Sequence, residues 1–348
     1  MSTTQEATVS PQEARRPLFL GVDVGGTNMK LGLVDDQGQV VAKTHISTEE
    51  EAGPNDAVRR SREAVDQMLG ELGLTIKDVA AVGLATPGTM DIPAGIILHP
   101  HNLPHWYNFP IKKCVAAAFG LPVSYANDAN AAAYGEFWVG SGKVNHSIVL
   151  LTLGTGVGGG IIIGDLSVDG ENSHGSECGH IIIDNSPSAR MCGCGQPGHL
   201  EAYCSATALV KRAEQELVAK ARKTTLANRV AKGEELTALM ISEEAEVGDA
   251  LSNDLIQELA TWLGLGIVTL MHTLDPGAVV LGGAMNFGGH DAPVGKKFIE
   301  RVRSVVRQHA FPIPAQRTTI DFATLGGDAG FIGAAGIARI EYHRNKKG

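Results

Sequence analysis

The sequence predicts an α/β protein built from two similar halves, and three observations carry that prediction. A strand that runs into glycines and then into another strand occurs twice, as Leu18 to Asp35 (LFLGVDVGGTNMKLGLVD) and as Ile148 to Asp165 (IVLLTLGTGVGGGIIIGD). After each copy the chain continues with short apolar runs and stretches of helical spacing, the mix from which α/β layers are made. The length, 348 residues, suits roughly two domains.

Each apolar run in these units is short and rich in β-branched residues, so each reads as a buried strand. Between the strands lie Gly25, Gly26 and Thr27 in the first copy, and Gly154, Thr155 and Gly156 followed by Gly158 to Gly160 in the second. Glycine lets the backbone approach a ligand and turn its N–H groups outward, the geometry that holds phosphate oxygens. Either copy alone also fits an ordinary glycine-rich turn. The repetition favours phosphate, gripped from both sides by two facing hairpins.

Gln39 to Ile46 reads as a third strand, and Asn55 to Leu72 as a helix with Ala57, Val58, Ala64, Val65, Met68, Leu69 and Leu72 near helical spacing. Val79 to Leu84 is a short buried strand whose end turns at Ala85–Gly88, a place where open α/β sheets put ligands. Pro122 to Tyr125 is another strand, followed by Asn127, Asp128 and an alanine-rich helix over 129–138. In the second half, 206–222, 251–273 and 295–308 read as helices, with a polar, charged connection at 223–250. Ala278 to Leu281 is a strand ending at Gly282 and Gly283, on local grounds a turn. The last element, Gly327 to Tyr342, carries Gly330, Gly333, Ala334, Ala335 and Gly336, small residues that permit close helix packing.

Composition narrows the functional classes. With 43% hydrophobic but only 5% aromatic residues, the chain reads as globular with an aliphatic core. A formal charge of −9 disfavours a broad electrostatic grip on nucleic acid. No run of ~18 apolar residues suggests a membrane span, and residues 1–17 are polar and read as a disordered leader without a signal peptide. Five cysteines, an odd number without framework spacing, fit reduced thiols in a cytoplasm.

Asp23-x-Gly25-Gly26-Thr27, the Gly154–Gly160 loop, Glu177-Cys178-Gly179-His180, and Cys192-x-Cys194-Gly195 with Glu201 together resemble the signature set of the ROK family of repressors and sugar kinases. The resemblance runs in order from about residue 18 to about 340. It implies the fold of the actin-like ATPases: two α/β, ribonuclease H-like domains with an interdomain cleft. The expected division is a leader (1–17), an N-terminal domain (18–140) joined by the C-terminal helix (about 327–348), and a C-terminal domain (141–326). A homodimer is expected from the family alone.

Phosphoryl transfer to a sugar needs a carboxylate that accepts the attacking hydroxyl's proton. The NDAN run matches the family's Asn–Asp pair, which makes Asp128 the expected base and places Asn127 on the sugar. Asn or Asp before a helix is also a common N-cap, and both roles can coexist. Glu177 and His180 are spaced i, i+3 and share a face if the stretch makes a helical turn. A locally satisfied histidine beside a surface glutamate is the plainer alternative. The resemblance puts both on the sugar's hydroxyls, with His180 also facing a zinc ion, and adds Glu201, Gly88 and Asn102 as substrate residues. Cys192, Cys194 and His199 form a plausible metal loop, since thiolate and imidazole suit tetrahedral zinc. Many family members have a third cysteine where this chain has His199, so the expected set of His180, Cys192, Cys194 and His199 leaves open whether His199 points inward. Unliganded thiols are the alternative. Asp23 is either a turn cap or a group near the Mg²⁺ that bridges the ATP phosphates, through water. Lys30 either neutralises phosphate or is solvated, and Gly282 and Gly283 match the family's adenosine side.

These readings lead to an ATP-dependent hexose kinase using Mg²⁺ and a structural Zn²⁺, with glucose as the expected substrate, phosphorylated at its 6-hydroxyl. N-acetylmannosamine, N-acetylglucosamine and fructose are alternatives on the same frame. A sugar-responsive repressor of the family is disfavoured, because about 17 residues before the first strand are too few for a DNA-binding domain. An actin-like or chaperone-like ATPase would lack the Glu177/His180 set.

Overall fold

All of Leu18–Val24 except Asp23 is buried, the near-continuous burial of a strand covered on both faces. In the computed structural model, which describes residues 9–347 apart from His101 and Ala221, this segment is β1. It is followed by β2 (Asn28–Val34), β3 (Val40–Ser47), α1 (Pro54–Glu71), β4 (Val79–Thr86), β5 (Thr89–Asp91), β6 (Ile96–His99), α2 (Ile111–Phe119), β7 (Val123–Asn127) and α3 (Asp128–Trp138). Then come β8 (Ser147–Leu153), β9 (Val157–Ile163), β10 (Leu166–Ser167), α4 (Glu201–Cys204), α5 (Ala206–Ala219), α6 (Thr225–Ala231), α7 (Ala238–Glu246) and α8 (Ala250–Leu274). The chain ends with β11 (Ala278–Gly282), α9 (Pro293–His309), α10 (Pro312–Arg317), β12 (Thr319–Phe322) and α11 (Ala329–Lys347).

The two glycine hairpins seed two sheets of matching order, β3-β2-β1-β4-β7 and β10-β9-β8-β11-β12. In the first, β1 pairs antiparallel with β2 and parallel with β4, and β4 pairs parallel with β7. In the second, β11 is parallel to both β8 and β12, and β9 is antiparallel to β10. Side chains alternate across β1: Leu18, Leu20 and Val22 join the core containing Ala57, Val65 and Leu69 of α1, whereas Phe19 joins Phe331, Ile332 and Ala335 of α11. The small residues of α11 allow close approach, since a Cβ on Gly333 would overlap the Ala131 carbonyl of α3.

The chain divides into two compact units. One holds the residues up to Asn145, Gly160–Ser176 and Thr324 onward; the other holds His146–Gly159 and Glu177–Ala323. Residues 160–176, expected in the C-terminal domain, therefore group with the first unit.

Other local expectations need correction. Part of the expected leader is ordered: Val9 N–H donates to Val40 O, Arg15 N–H to the Asp35 carboxylate, and Ala14 is buried. The acceptors just past the end of β2 and at the start of β3 supply the reason; residues 1–8 lie outside the described residues. The 223–250 connection contains α6 and α7, capped by the hydroxyls of Thr224 and Thr237 and tied by Arg229 to Glu234, Glu243 and Glu244. Strand β4 runs to Thr86, through part of the expected turn. Among the described residues one helix, α8, is long and apolar enough to cross a membrane by length and composition, contrary to the sequence reading. Leu251, Leu255, Leu259, Leu263 and Ile267 are buried along it, and it packs on α9, α7, α4 and α5, as a core helix does.

Candidate active site

The two glycine turns are wired alike. In the first, Gly25 N–H donates to Asn28 O at 2.9 Å, and Thr48 holds the Gly25 and Thr27 carbonyls through its hydroxyl (2.7 Å) and its N–H (2.8 Å). In the second, Gly154 N–H donates to Gly156 O at 3.0 Å. The Ala206 N–H and the Thr207 hydroxyl hold the Gly154 and Thr155 carbonyls, both at 2.8 Å. With the carbonyls occupied, the N–H groups of Gly26, Thr27, Thr155 and Gly156 have no partner among the described residues. Unpartnered N–H donors in a turn suit an anion. Thr48 and Thr207 escaped the sequence reading because each meets a turn far away along the chain, with no local signal. Gly158 lies within β9, and Gly160, two residues further on, serves packing: a Cβ there would come within 2.5 Å of the Ala133 Cβ on α3.

The first unit gathers several of the expected residues. A Cβ on Gly26 would sit 3.1 Å from the Asn102 Cβ, so Asn102 lies directly on the first turn. Gly88 has a φ of 83°, and a Cβ on it would lie 2.5 Å from the Pro100 Cα, which brings the end of β4 against the segment leading to Asn102. Asp23 is half-buried, and the Gly330 backbone at the start of α11 lies so close that a Cβ there would overlap its carboxylate. Burial raises the Asp23 carboxyl to about 6, against the opposing pull of Lys30. Lys30 itself, paired with Asp23 across β1 and β2, donates to the Gly327 carbonyl at 2.6 Å. It is thus tied to the α11 approach rather than simply solvated.

At the end of β7 the structure shows which residue takes the cap position. Asn127 is the N-cap of α3: its Oδ1 accepts from the N–H groups of Ala129 at 2.9 Å and Asn130 at 3.4 Å. Asp128 stands one residue into the helix, and its Oδ1 accepts from Ala129 N–H at 2.8 Å. A helix N-terminus favours the ionised carboxylate. With its oxygen committed to the cap, Asn127 keeps its amide N–H groups for other partners.

In the second unit, Cys178–His180 forms one 3-10 turn, with His180 N–H donating to Glu177 O at 3.0 Å, so the i, i+3 pair does share a face. Gly179 within that turn abuts the Val157 carbonyl of β9, where a Cβ would overlap it. The ligand atoms of His180, Cys192, Cys194 and His199 all lie within 4.8 Å of one another. His180 Nδ1 is 3.3 Å from His199 Nδ1 and 3.8 Å from Cys192 Sγ, and Cys194 Sγ is 3.2 Å from His199 Nδ1. Zinc bonds of ~2.0–2.1 Å to nitrogen and ~2.3 Å to sulfur make tetrahedron edges of roughly 3.3–3.8 Å, so the four donors fit that ion. His199 points inward. Burial pushes the Cys192 thiol up to about 12 in the absence of a cation, and a bound metal would reverse that by holding the thiolate.

Glu201 opens α4 and joins this cluster to the second hairpin. Its Oε2 accepts from Val157 N–H at 3.1 Å and its Oε1 from Cys192 Sγ at 3.3 Å. Gly283, at φ 89°, abuts Leu153 at the end of β8, and Met285 N–H donates to Leu153 O at 3.0 Å. Gly282 and Gly283 therefore stand beside the turn that begins at Gly154.

A family profile described as the ROK family matches residues 19–341. The chain belongs to the ROK family. It is 33% identical over 330 residues to a glucokinase of Halalkalibacterium halodurans, covering 95% of this chain and 97% of that protein. A xylose repressor of Caldicellulosiruptor bescii is 28% identical over 90% of this chain and 76% of its own length. Among solved structures, the ROK hexokinase of Thermus thermophilus matches with a TM-score of 0.78 at 31% identity, covering 95% of this chain and 100% of that one. A ROK glucokinase of Streptomyces griseus, in complex with glucose and AMPPNP, matches with a TM-score of 0.71 at 33% identity, over 93% and 99%. The fold is therefore that of the ROK kinases, the actin-like ATPase fold, as the signature residues implied.

Proposed function

We propose that this ROK protein is an ATP-dependent hexose kinase, a glucokinase that phosphorylates the 6-hydroxyl of glucose. The observation that carries the reading is the arrangement at the start of α3. Asn127 takes the N-cap, and the Asp128 carboxylate in the first turn, which accepts from Ala129 N–H, is assigned the role of proton acceptor. Likeness to glucokinases across 95% of the chain supports the reading.

The N–H donors at Gly26–Thr27 and those at Thr155–Gly156 suit the phosphates of ATP, and Gly282 and Gly283 suit its adenosine side. Mg²⁺ accompanies ATP as part of the substrate, with Asp23 the carboxylate suited to its waters. Asn102, Asn127 and Gly88 of the first unit, and Glu177, His180 and Glu201 of the second, are assigned to the sugar. Asp128 takes the proton as the hydroxyl oxygen forms its bond to the γ-phosphorus and ADP leaves. His180, Cys192, Cys194 and His199 would hold a zinc ion that serves structurally. With His180 Nδ1 turned to that cluster, its Nε2 keeps the proton and donates to a sugar hydroxyl. The five free cysteines support a cytoplasmic setting.

The experiment is a coupled assay over glucose, N-acetylmannosamine, N-acetylglucosamine and fructose with MgATP and a no-sugar control. Glucose should give the highest kcat/KM. A higher value for an acetamido sugar would move the substrate assignment, and no sugar-dependent ADP release would return the sugar-responsive repressor as the better reading.

A further inference from the structure

Asn130 occupies the first turn of α3 among Ala129, Ala131, Ala132 and Ala133, and it is 3% exposed. Its Nδ2 donates to Asp169 Oδ1 at 2.8 Å, while its Oδ1 has no partner among the described residues. An unpaired buried acceptor is costly, and asparagine is a poorer helix former than the alanines around it. Alanine at 130 would remove both costs. What it would also remove is the bond to Asp169.

Asp169 anchors a closed loop. Its carboxylate also accepts from Ser167 Oγ at 2.9 Å, and its carbonyl accepts from Gly175 N–H at 2.7 Å. Ser176 Oγ donates to Val168 O at 2.8 Å. Within the loop, Ser173 and Ser176 adopt φ of 56° and 66°, a conformation that side chains other than glycine's resist. The strained Ser173 uses its Oγ to accept from Ile92 N–H at 3.0 Å, just past β5. Residue 177, next along the chain, is the glutamate assigned to the sugar.

We propose that Asn130 and Asp169 are positioning residues for hexose binding. They fasten the loop 168–176, which runs directly into Glu177 and His180, to the helix turn that presents Asp128. Ser173 fastens the same loop to the segment between Gly88 and Asn102. A half-satisfied asparagine and two positive-φ serines have a common explanation if the loop must hold one shape for the sugar set. The proposal rests on the hexose-kinase reading.

The test compares Asp169→Ala with Asp169→Asn, whose amide oxygen still accepts from Asn130. Asp169→Ala should raise the KM for the hexose at least ~10-fold while the KM for MgATP stays within about twofold, and Asp169→Asn should recover most of the loss. Equal rises in both KM values, or a lower Tm with unchanged KM, would overturn the positioning role. Hydrogen exchange of the 170–177 amides provides a readout independent of activity. Exchange should quicken at least ~10-fold in Asp169→Ala but not in Asp169→Asn. Unchanged exchange overturns the lock even if no hexose is phosphorylated. Faster exchange in an enzyme whose wild type shows no sugar-dependent turnover keeps the lock and defeats only the kinase reading.

Discussion

At the start of α3, two adjacent side chains both accept from Ala129 N–H, and only Asn127 holds the N-cap position. From sequence, Asn127 and Asp128 were interchangeable as caps, because both types accept from free N–H groups. The φ and ψ of the strand-to-helix junction separate them by giving the cap to Asn127. Replacing Asp128 by Asn should therefore leave the fold intact and lower kcat by at least ~10²-fold, the low end for loss of a general base. A folded variant with near-normal turnover would remove Asp128 from the chemistry. Asp23 makes a second prediction at this scale. Its folded pKa of about 6 exceeds the ordinary 3.8 because of burial, so the native state binds the extra proton. That burden is absent at a pH below ~4, grows as the pH rises toward 6 and is complete above it. In the nucleotide-free protein, Asp23→Asn should therefore be more stable than the wild type by ~1–3 kcal/mol at pH 8, with the gain nearly gone at pH 4. Denaturant midpoints at the two pH values measure it, and a pH-independent gain would contradict the burial argument.

The glycine hairpins were legible as elements, but the wiring that occupies their carbonyls and leaves N–H groups without partners was not. Thr48 and Thr207 hold the turn carbonyls from positions with no sequence pattern to mark them. Thr48→Val and Thr207→Val remove one hydroxyl each, and a net hydrogen bond is worth about 1 kcal/mol. Each should raise the KM for MgATP by ~3–10-fold with little change for the hexose; steady-state kinetics with each substrate varied would expose the opposite pattern. The metal loop shows the same limit. Cysteine and histidine spacing named the donors, yet whether His199 turned inward depended on the bridges Ile182 to His199 and Met191 to Pro197. Purified protein should carry about one zinc per chain, and His199→Ala should lose it and weaken hexose binding more than MgATP binding. Full zinc content in that variant would exclude His199 as a ligand. The short helices α6 and α7 were missed because each is under three turns long, with glutamates and lysines around buried residues such as Leu226, Met240 and Ile241.

Across the whole chain, the duplicated hairpin foretold more than a repeat of a motif, since both sheets share one strand order. Runs of β-branched residues and glycine spacing encode local backbone preference and burial. Those are short-range properties, which is why β1, β4, β8, α1, α8 and α11 could be read directly. Dimerisation is expected from the family, and light scattering on a sizing column should give twice the 36.5 kDa chain mass. A monomer would set that expectation aside. Residues 160–176 joined the first unit against expectation, because the Asn130–Asp169 and Ile92–Ser173 bonds connect positions 39 and 81 residues apart. Linear order thus carried the chemistry: which carboxylates, imidazoles, thiols and glycines the protein has. Their assembly into sites came from contacts between distant segments, such as Asn102 on Gly26 and Glu201 on Val157. Propensity and periodicity act over a few residues, whereas such pairings form only when the folded chain brings their backbones together.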